Sequence, residues 1–473
     1  MRSAALGDQL ASMAAPSVPG KWVQWRVTLS ATLALLSCGM QFSWSSPAEE
    51  KIEAAQIYLT NDEFSWAVSL INIGALVGSI LSGVAIDRIG RKWCIFSTSA
   101  PFIVGWILIY VGTSAPWLYA ARMILGVAVG MSLNAVPIYV GEIASTELRG
   151  AMGTLCLVMM NMGVLFEYVV GPLPVLTYQH LAMVSCVAPI LCGLCMLFVP
   201  ESPVFLVATG REDAARSSME KLRGGGYAGL DEELAAIKTD INDRKKAAMS
   251  WRQAVRSPGA GKALFIVSFL GLMMQMSGNA ALLAYFQRIN TEAGSELTMY
   301  IAYIIVSVLQ VGTGLLSSSV VDKSGRRPLS LISCTLQIIA YALMGGFFYL
   351  KFHEGVTMGN LSWLPLALIA VILSSFNLGQ GPLVYVLVGE ILPQEVRAIG
   401  ATSAALCISI GSFASTKVYP LVPQYSAFWM FAGLIFLVAI FFYVLVPETK
   451  GKSREEIRLL LAGKTGEANK ASP

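Results

Sequence analysis

Histidine is nearly missing from this chain, with two in 473 residues, His180 and His353. Charge is scarce as well: Asp, Glu, Lys and Arg make up 13%, against roughly 25% in ordinary soluble domains. So few histidines leave no zinc ligand set and no Ser-His-Asp constellation. The eight cysteines are scattered, mostly in apolar segments. Cys192 and Cys195 form a C-x-x-C within "LCGLCML", which reads as small residues of a membrane helix rather than as a redox or metal pair. No Walker-type glycine loop occurs, and no nucleotide, metal or other cofactor is expected. The first twenty residues, "MRSAALGDQLASMAAPSVPG", lack the apolar core of a signal peptide and read as a mobile cytoplasmic tail.

What is present is apolar. Hydrophobic residues make up 55% of the chain, and the mean hydropathy is +0.64. Apolar runs of roughly 20 residues recur, each long enough to cross a hydrocarbon core about 30 Å thick. Without water such runs must be helices. The expected fold is an all-α polytopic membrane protein with twelve transmembrane helices, near 27–46, 64–86, 93–113, 116–140, 151–171, 180–199, 262–290, 297–320, 328–350, 362–388, 398–420 and 425–446. Residues 1–26 and 447–473 are tails, 27–199 and 262–446 are six-helix halves, and 200–261 is a polar linker with short helices.

Lysine and arginine set the orientation. Of 33 such residues, 28 fall in the tails and even-numbered loops. Lys51, Arg288, Lys351 and Lys417 occupy the odd loops, and Arg122 lies within a span. Both termini are therefore expected in the cytoplasm. The net charge of +4 follows this bias and forms no stripe for nucleic acid. Asn360 opens an Asn-Leu-Ser glycosylation sequon on an external loop, close to a span.

Three loop signatures occur twice. "DRIGRK" from Asp87 pairs with "DKSGRR" from Asp322, "GEIASTELRG" from Gly141 with "GEILPQEVRAIG" from Gly389, and "PESP" from Pro200 with "PETKG" from Pro447. The order is the same and the offsets are 235, 248 and 247 residues. Duplication follows, and two pseudo-symmetric halves suit a rocking transporter. Within each half the acids and bases suggest an ion network: Asp87, Arg91, Glu142, Arg149 and Glu201 in the first, Asp322, Arg326, Glu390, Arg397 and Glu448 in the second. Such networks would latch the cytoplasmic side while the outside is open, and break on opening inward. The alternative is generic positive-inside charge with solvated acids.

These signatures, together with "WSSP" from Trp44 and "VPIYVGEIA" from Val136, resemble those of the sugar porter branch of the major facilitator superfamily over about Lys21 to Leu461. Insect-type facilitated trehalose and hexose carriers are nearest in character. The resemblance implies the major facilitator fold, alternating access, a small-molecule sugar as partner within a lipid bilayer, and no enzyme activity. It also implies a monomer in the plasma membrane, with an endomembrane site as the alternative.

The resemblance further implies a sugar site near the midplane. Of the seventh-helix pattern Gln-Gln-x-Ser-Gly-x-Asn, this chain keeps Gln275, has Met274 for the first Gln and Ala280 for the Asn, and carries an Asn one place early, at Asn279. One place is about 100° around a helix, so Asn279 inherits the role only if the helix unwinds at Gly278. Gln310 stands at the eighth-helix Asn position, Asn377 and Tyr385 replace Glu and Trp in the tenth helix, and Leu157 and Ile408 replace a Gln and an Asn. Gly379 to Pro382 should break the tenth helix. Expected substrate contacts are Gln275, Asn279, Gln310, Asn377, Tyr385 and Gln41, with hydrogen bonding between helices as the alternative. Gln41 stands where proton-linked relatives carry Asp, which favours uniport. Arg122 and Glu167, at similar depth, are expected to form an ion pair; otherwise Glu167 snorkels or serves as a proton site. Two other readings stay open, a sugar sensor with little transport and a proton-coupled symporter.

Overall fold

The computed structural model describes residues 20–247, 251–256, 258–295, 298–356, 359–393, 396–449, 452, 456–457 and 460. Among them there are helices and no strands. Twelve spans cross the apolar layer when the bent pair Lys21–Ser43 and Ser45–Ala54 counts as one. The others are Asn61–Ile89, Arg91–Val111, Ala115–Ile143, Arg149–Val170, Tyr178–Leu197, the seventh span described below, Met299–Ser324, Arg326–Phe352, Leu364–Ile391, Arg397–Val418 and Gln424–Leu445. The linker forms Pro203–Ala208, Glu212–Arg223, Leu230–Ala247 and Trp251–Arg256. The side with most Lys and Arg is called cytoplasmic below, and the other external.

Small residues decide which helices touch. A Cβ on Gly74 would sit 2.8 Å from Gly126 Cα, and one on Gly130 would sit 2.0 Å from the Ala75 carbonyl oxygen. The second and fourth spans therefore meet backbone to backbone. The first and fifth meet in the same way, with Gly163 against Leu36. In the second half Gly411 sets the eleventh span against Leu272 of the seventh, the equivalent pairing. Apolar side chains such as Leu194, Leu343 and Phe436 are left facing outward, as lipid contact requires.

Two spans break where glycine permits. The seventh consists of Pro258–Met276, Asn279–Ala284 and Phe286–Ala293. Its break is Gly278, left-handed at φ 85°; a Cβ there would lie 2.5 Å from the Phe431 ring. The tenth breaks at Gly379, between Leu364–Leu378 and Gln380–Ile391. The first span runs further than 27–46. It starts at Lys21 and, after a 53° bend, continues as the charged helix Ser45–Ala54. Pro47, in the first turn of that second piece, is tolerated because its missing N–H is not needed there.

Candidate functional site

The seam between the halves holds a belt of amides. Asn161 Nδ2 of the fifth span donates to the Gln310 carbonyl of the eighth at 3.1 Å, and Asn377 Nδ2 of the tenth donates to the same oxygen at 3.4 Å. Gln310 is buried, and its own Oε1 has no partner among the described residues. The same holds for Gln275 Oε1 and Asn279 Oδ1. A buried acceptor without a donor costs on the order of 1–3 kcal/mol. Such oxygens at a joint between two bodies suit a ligand that brings hydroxyl groups. Gly278 interrupts the helix just before Asn279 and resets the rotation of the residues after it. Met274 is buried, while Leu157, Ala280 and Ile408 are partly buried apolar wall. Tyr385 is 54% exposed.

One expectation changes, at Arg122. Gln41 is fully buried, its carbonyl and Oε1 accept from Arg122 at 3.2 and 3.0 Å, and its Nε2 has no partner among the described residues. Arg122 and Glu167 make no ion pair. Arg122 also donates to the Ala67 carbonyl at 3.1 Å and lies over the Trp44 ring at 5.4 Å. Glu167 Oε1 accepts from Ser185 Oγ at 2.5 Å. Equal depth was the reason to pair them, but depth does not fix which way each helix turns. Carbonyl dipoles and an aromatic face occupy the guanidinium instead.

On the external side the halves are joined. Ser46 Oγ and Tyr303 OH are 2.8 Å apart, the Gln287 N–H donates to Ser46 Oγ at 2.9 Å, and Tyr168 OH donates to the Leu283 carbonyl at 2.8 Å. Gln287 also bonds Glu50. Lys417 Nζ reaches Asp62 and Ser65, each at 2.7 Å, and Asn72 reaches Thr416 at 3.3 Å. Tyr168, Phe286 and Tyr303 stack behind this seam. These bonds all lie at or outside the midplane. Sequence reading missed Asn161, Asn72 and the bridging role of Lys417. The signal for Asn161 was a lone amide in the Met-rich run "MMNMG".

The two cytoplasmic clusters are built on the same plan. Glu201 Oε1 accepts from the N–H groups of Arg91 and Lys92 at 3.1 and 2.9 Å, which start the third span. Glu448 accepts from the N–H groups of Arg326 and Arg327 at 3.1 and 3.0 Å, which start the ninth. Each carboxylate thus sits at a helix N-terminus, where orphan donors and the dipole favour it. Arg91 then reaches both oxygens of Glu142 at 2.9 Å, and Arg326 reaches Glu390 Oε1 at 3.2 and 2.8 Å. Ser202 bonds Glu142, and Thr449 bonds Glu390. Burial raises the Glu201 carboxyl above the ordinary carboxylate value, and three backbone N–H donors oppose that rise.

Each cluster ties helices of one half, through Arg91–Glu142 in the first and Arg326–Glu390 in the second. Asp87 stays 80% exposed at 3.8 Å from Arg91, and Arg149 is exposed and pairs with no described residue. The side chains of Asp322, Arg397 and Asn360 lie outside the described residues.

Comparison with known proteins adds to this geometry. The family model described as "Sugar (and other) transporter" matches residues 25–461. A facilitated trehalose transporter, Tret1, of Culex quinquefasciatus is 32% identical over 444 residues, covering 92% of this chain and 85% of that protein. The same transporter of Anopheles gambiae is 32% identical over 452 residues, 94% of this chain but 56% of its own length. The chain thus spans little more than half of that relative. The xylose transporter XylE from E. coli, in an inward open conformation, aligns with a TM-score of 0.77 at 21% identity, over 92% of this chain and 99% of that one. The proton:xylose symporter XylE bound to 6-bromo-6-deoxy-D-glucose gives 0.76 at 21% identity, over 93% of this chain and all of that one. At such identity the likeness establishes the fold, that of the major facilitator superfamily.

Proposed function

Since the chain belongs to the sugar transporter family, we propose that it is a facilitative uniporter for a sugar such as glucose, another hexose or trehalose. The observation that carries this reading is the amide belt at the joint of the halves. Gln275, Asn279 and Gln310 each present a buried oxygen without a donor, and Asn377 from the tenth span completes the ring. Sugar hydroxyls enter from the cytoplasmic side and satisfy those oxygens. The external seam then gives way while each half stays rigid, and the substrate leaves on the other side. Uniport is supported by Gln41, whose amide does not titrate and is engaged with Arg122. The protein works as a monomer in the plasma membrane with both termini in the cytoplasm.

A specific observation favours one second reading, proton-coupled symport. Glu167 is fully buried with Oε2 unpartnered among the described residues. The sensor reading has less support, since a receptor that does not rock has no use for a rigid cluster in each half. The test is counterflow of labelled D-glucose and trehalose in proteoliposomes, at two external pH values. Uniport gives exchange that a pH gradient does not drive. A gradient-driven accumulation that Glu167→Gln abolishes replaces uniport by symport, and binding without exchange replaces both by a sensor.

A further inference from the structure

The fifth span has Leu157 where its resemblance to the sugar porters places a glutamine. Four residues on, one helical turn and about 6 Å nearer the outside, stands Asn161 on the same face. Both side chains pack against one residue of the eighth span. A Cβ on Gly314 would lie 2.8 Å from Asn161 Nδ2 and 3.8 Å from Leu157 Cγ. The absence of that Cβ is what leaves Asn161 its room.

Asn161 is also poised to change partners. The Gln310 carbonyl that accepts its Nδ2 receives Asn377 Nδ2 as well, while the Thr313 hydroxyl, 3.2 Å away, has a nearer acceptor in the Leu309 carbonyl at 2.8 Å. A carbonyl has two lone pairs, and two side-chain amides share them. Turning Asn161 toward another acceptor leaves that oxygen satisfied. Beside it, Gln310 Oε1 is buried and has no donor among the described residues. A hydroxyl placed between Asn161 Nδ2 and Gln310 Oε1 would accept from the first and donate to the second, joining the two halves through one ligand atom.

Resting on the sugar-carrier reading, we propose that Asn161 is a substrate contact that sets which sugars are carried, replacing the polar contact absent at Leu157 by one a turn further out. The ligand hydroxyl it reads lies at the fifth–eighth span crossing, and the wall inward of it, at Leu157, is apolar. A sugar is selected for a hydroxyl at the outer level and is not required to present one at the inner level.

The experiment is counterflow of labelled D-glucose or trehalose, whichever the purified wild type exchanges, competed by the corresponding single-deoxy sugars. Wild type should discriminate against one deoxy position by about tenfold, the size expected of one lost hydrogen bond. Asn161→Leu should raise KM for the parent sugar about tenfold and abolish that discrimination, with kcat little changed. Gly314→Ala, which displaces Asn161 without removing it, should move KM the same way. Adding Leu157→Gln to Asn161→Leu should recover affinity and move the discrimination to a different hydroxyl. If both single variants keep the wild-type KM and deoxy profile, or lose kcat alone, Asn161 is only glue between spans and the proposal falls. If the wild type exchanges neither sugar, the carrier reading itself falls, and this inference with it.

Discussion

The external seam and the cytoplasmic clusters use the same kinds of side chain for opposite ends. The seam joins one half to the other through scattered hydrogen bonds, most of them neutral, with Lys417, Arg288 and Glu50 as charged members. The clusters join helices within a half through compact ion pairs, with Arg91 at 12% and Glu142 at 16% exposure. Partly desolvated pairs with every oxygen engaged are stiff. Single neutral contacts, about 0.5–1.5 kcal/mol each, are individually weaker than such pairs. A carrier needs two bodies that keep their shape and an interface that does not, and the molecule distributes its strong and weak contacts accordingly.

The comparison is broken most severely inside a cluster. Arg91→Ala leaves Glu142 half-buried without its cation, and should lower stability by about 2–3 kcal/mol, read as a drop in melting temperature with loss of uptake. Arg326→Ala should cost less. Arg326 reaches only one oxygen of Glu390, whose side chain is 28% exposed. An equal or larger loss in the second half would mean that cluster geometry is not what sets rigidity.

A smaller effect is expected at the seam. Lys417→Ala removes both bonds to the second span and should shift the population toward the outward-open form about three- to tenfold, a change of order 1 kcal/mol. Labelling rates of a cysteine introduced in the chamber and probed from outside measure this. The melting temperature should stay nearly unchanged; a large fall would place Lys417 with the rigid contacts.

Glu201 offers a pH test of the cluster side. Its folded-state carboxyl is raised above the ordinary 4.5, so the folded protein binds the proton more tightly than the unfolded chain. That contribution to stability is present at low pH and is lost as pH rises from 4.5 through the raised value. Glu201→Gln keeps an oxygen for the three N–H donors and should remove this slope from thermal melts across the range. Unchanged slope in the variant assigns it elsewhere. The smallest effect is expected for Asp87→Asn. Asp87 is largely exposed and only 3.8 Å from Arg91, so the change should stay within about 0.5 kcal/mol in the melt.

Hydropathy made most spans legible, because hydrocarbon leaves the backbone no choice but a helix. The break in the tenth span was legible in the run from Gly379, whereas the one at Gly278 entered only as the condition on which Asn279 could take its role. The helix Ser45–Ala54 was not, since Glu49, Glu50, Lys51 and Glu53 look like loop charge until the bend at Trp44 carries them past the membrane. Rotation about the helix axis was the hardest quantity to read. Arg122 and Glu167 share a depth, yet Arg122 turns to Gln41 and Glu167 to Ser185. The cluster members were picked out by repetition, which also assigned each network to one half. Asn161 escaped because a single amide between methionines carries no periodic signal.

The central claim is that the external seam must part for transport while the clusters stay closed. Its most direct test is a reversible tether at the point where the Gln287 N–H meets Ser46 Oγ at 2.9 Å. With Ser46→Cys and Gln287→Cys combined, oxidation should abolish sugar counterflow in proteoliposomes, and reduction should restore it. Counterflow that continues with the tether fully formed would contradict the account.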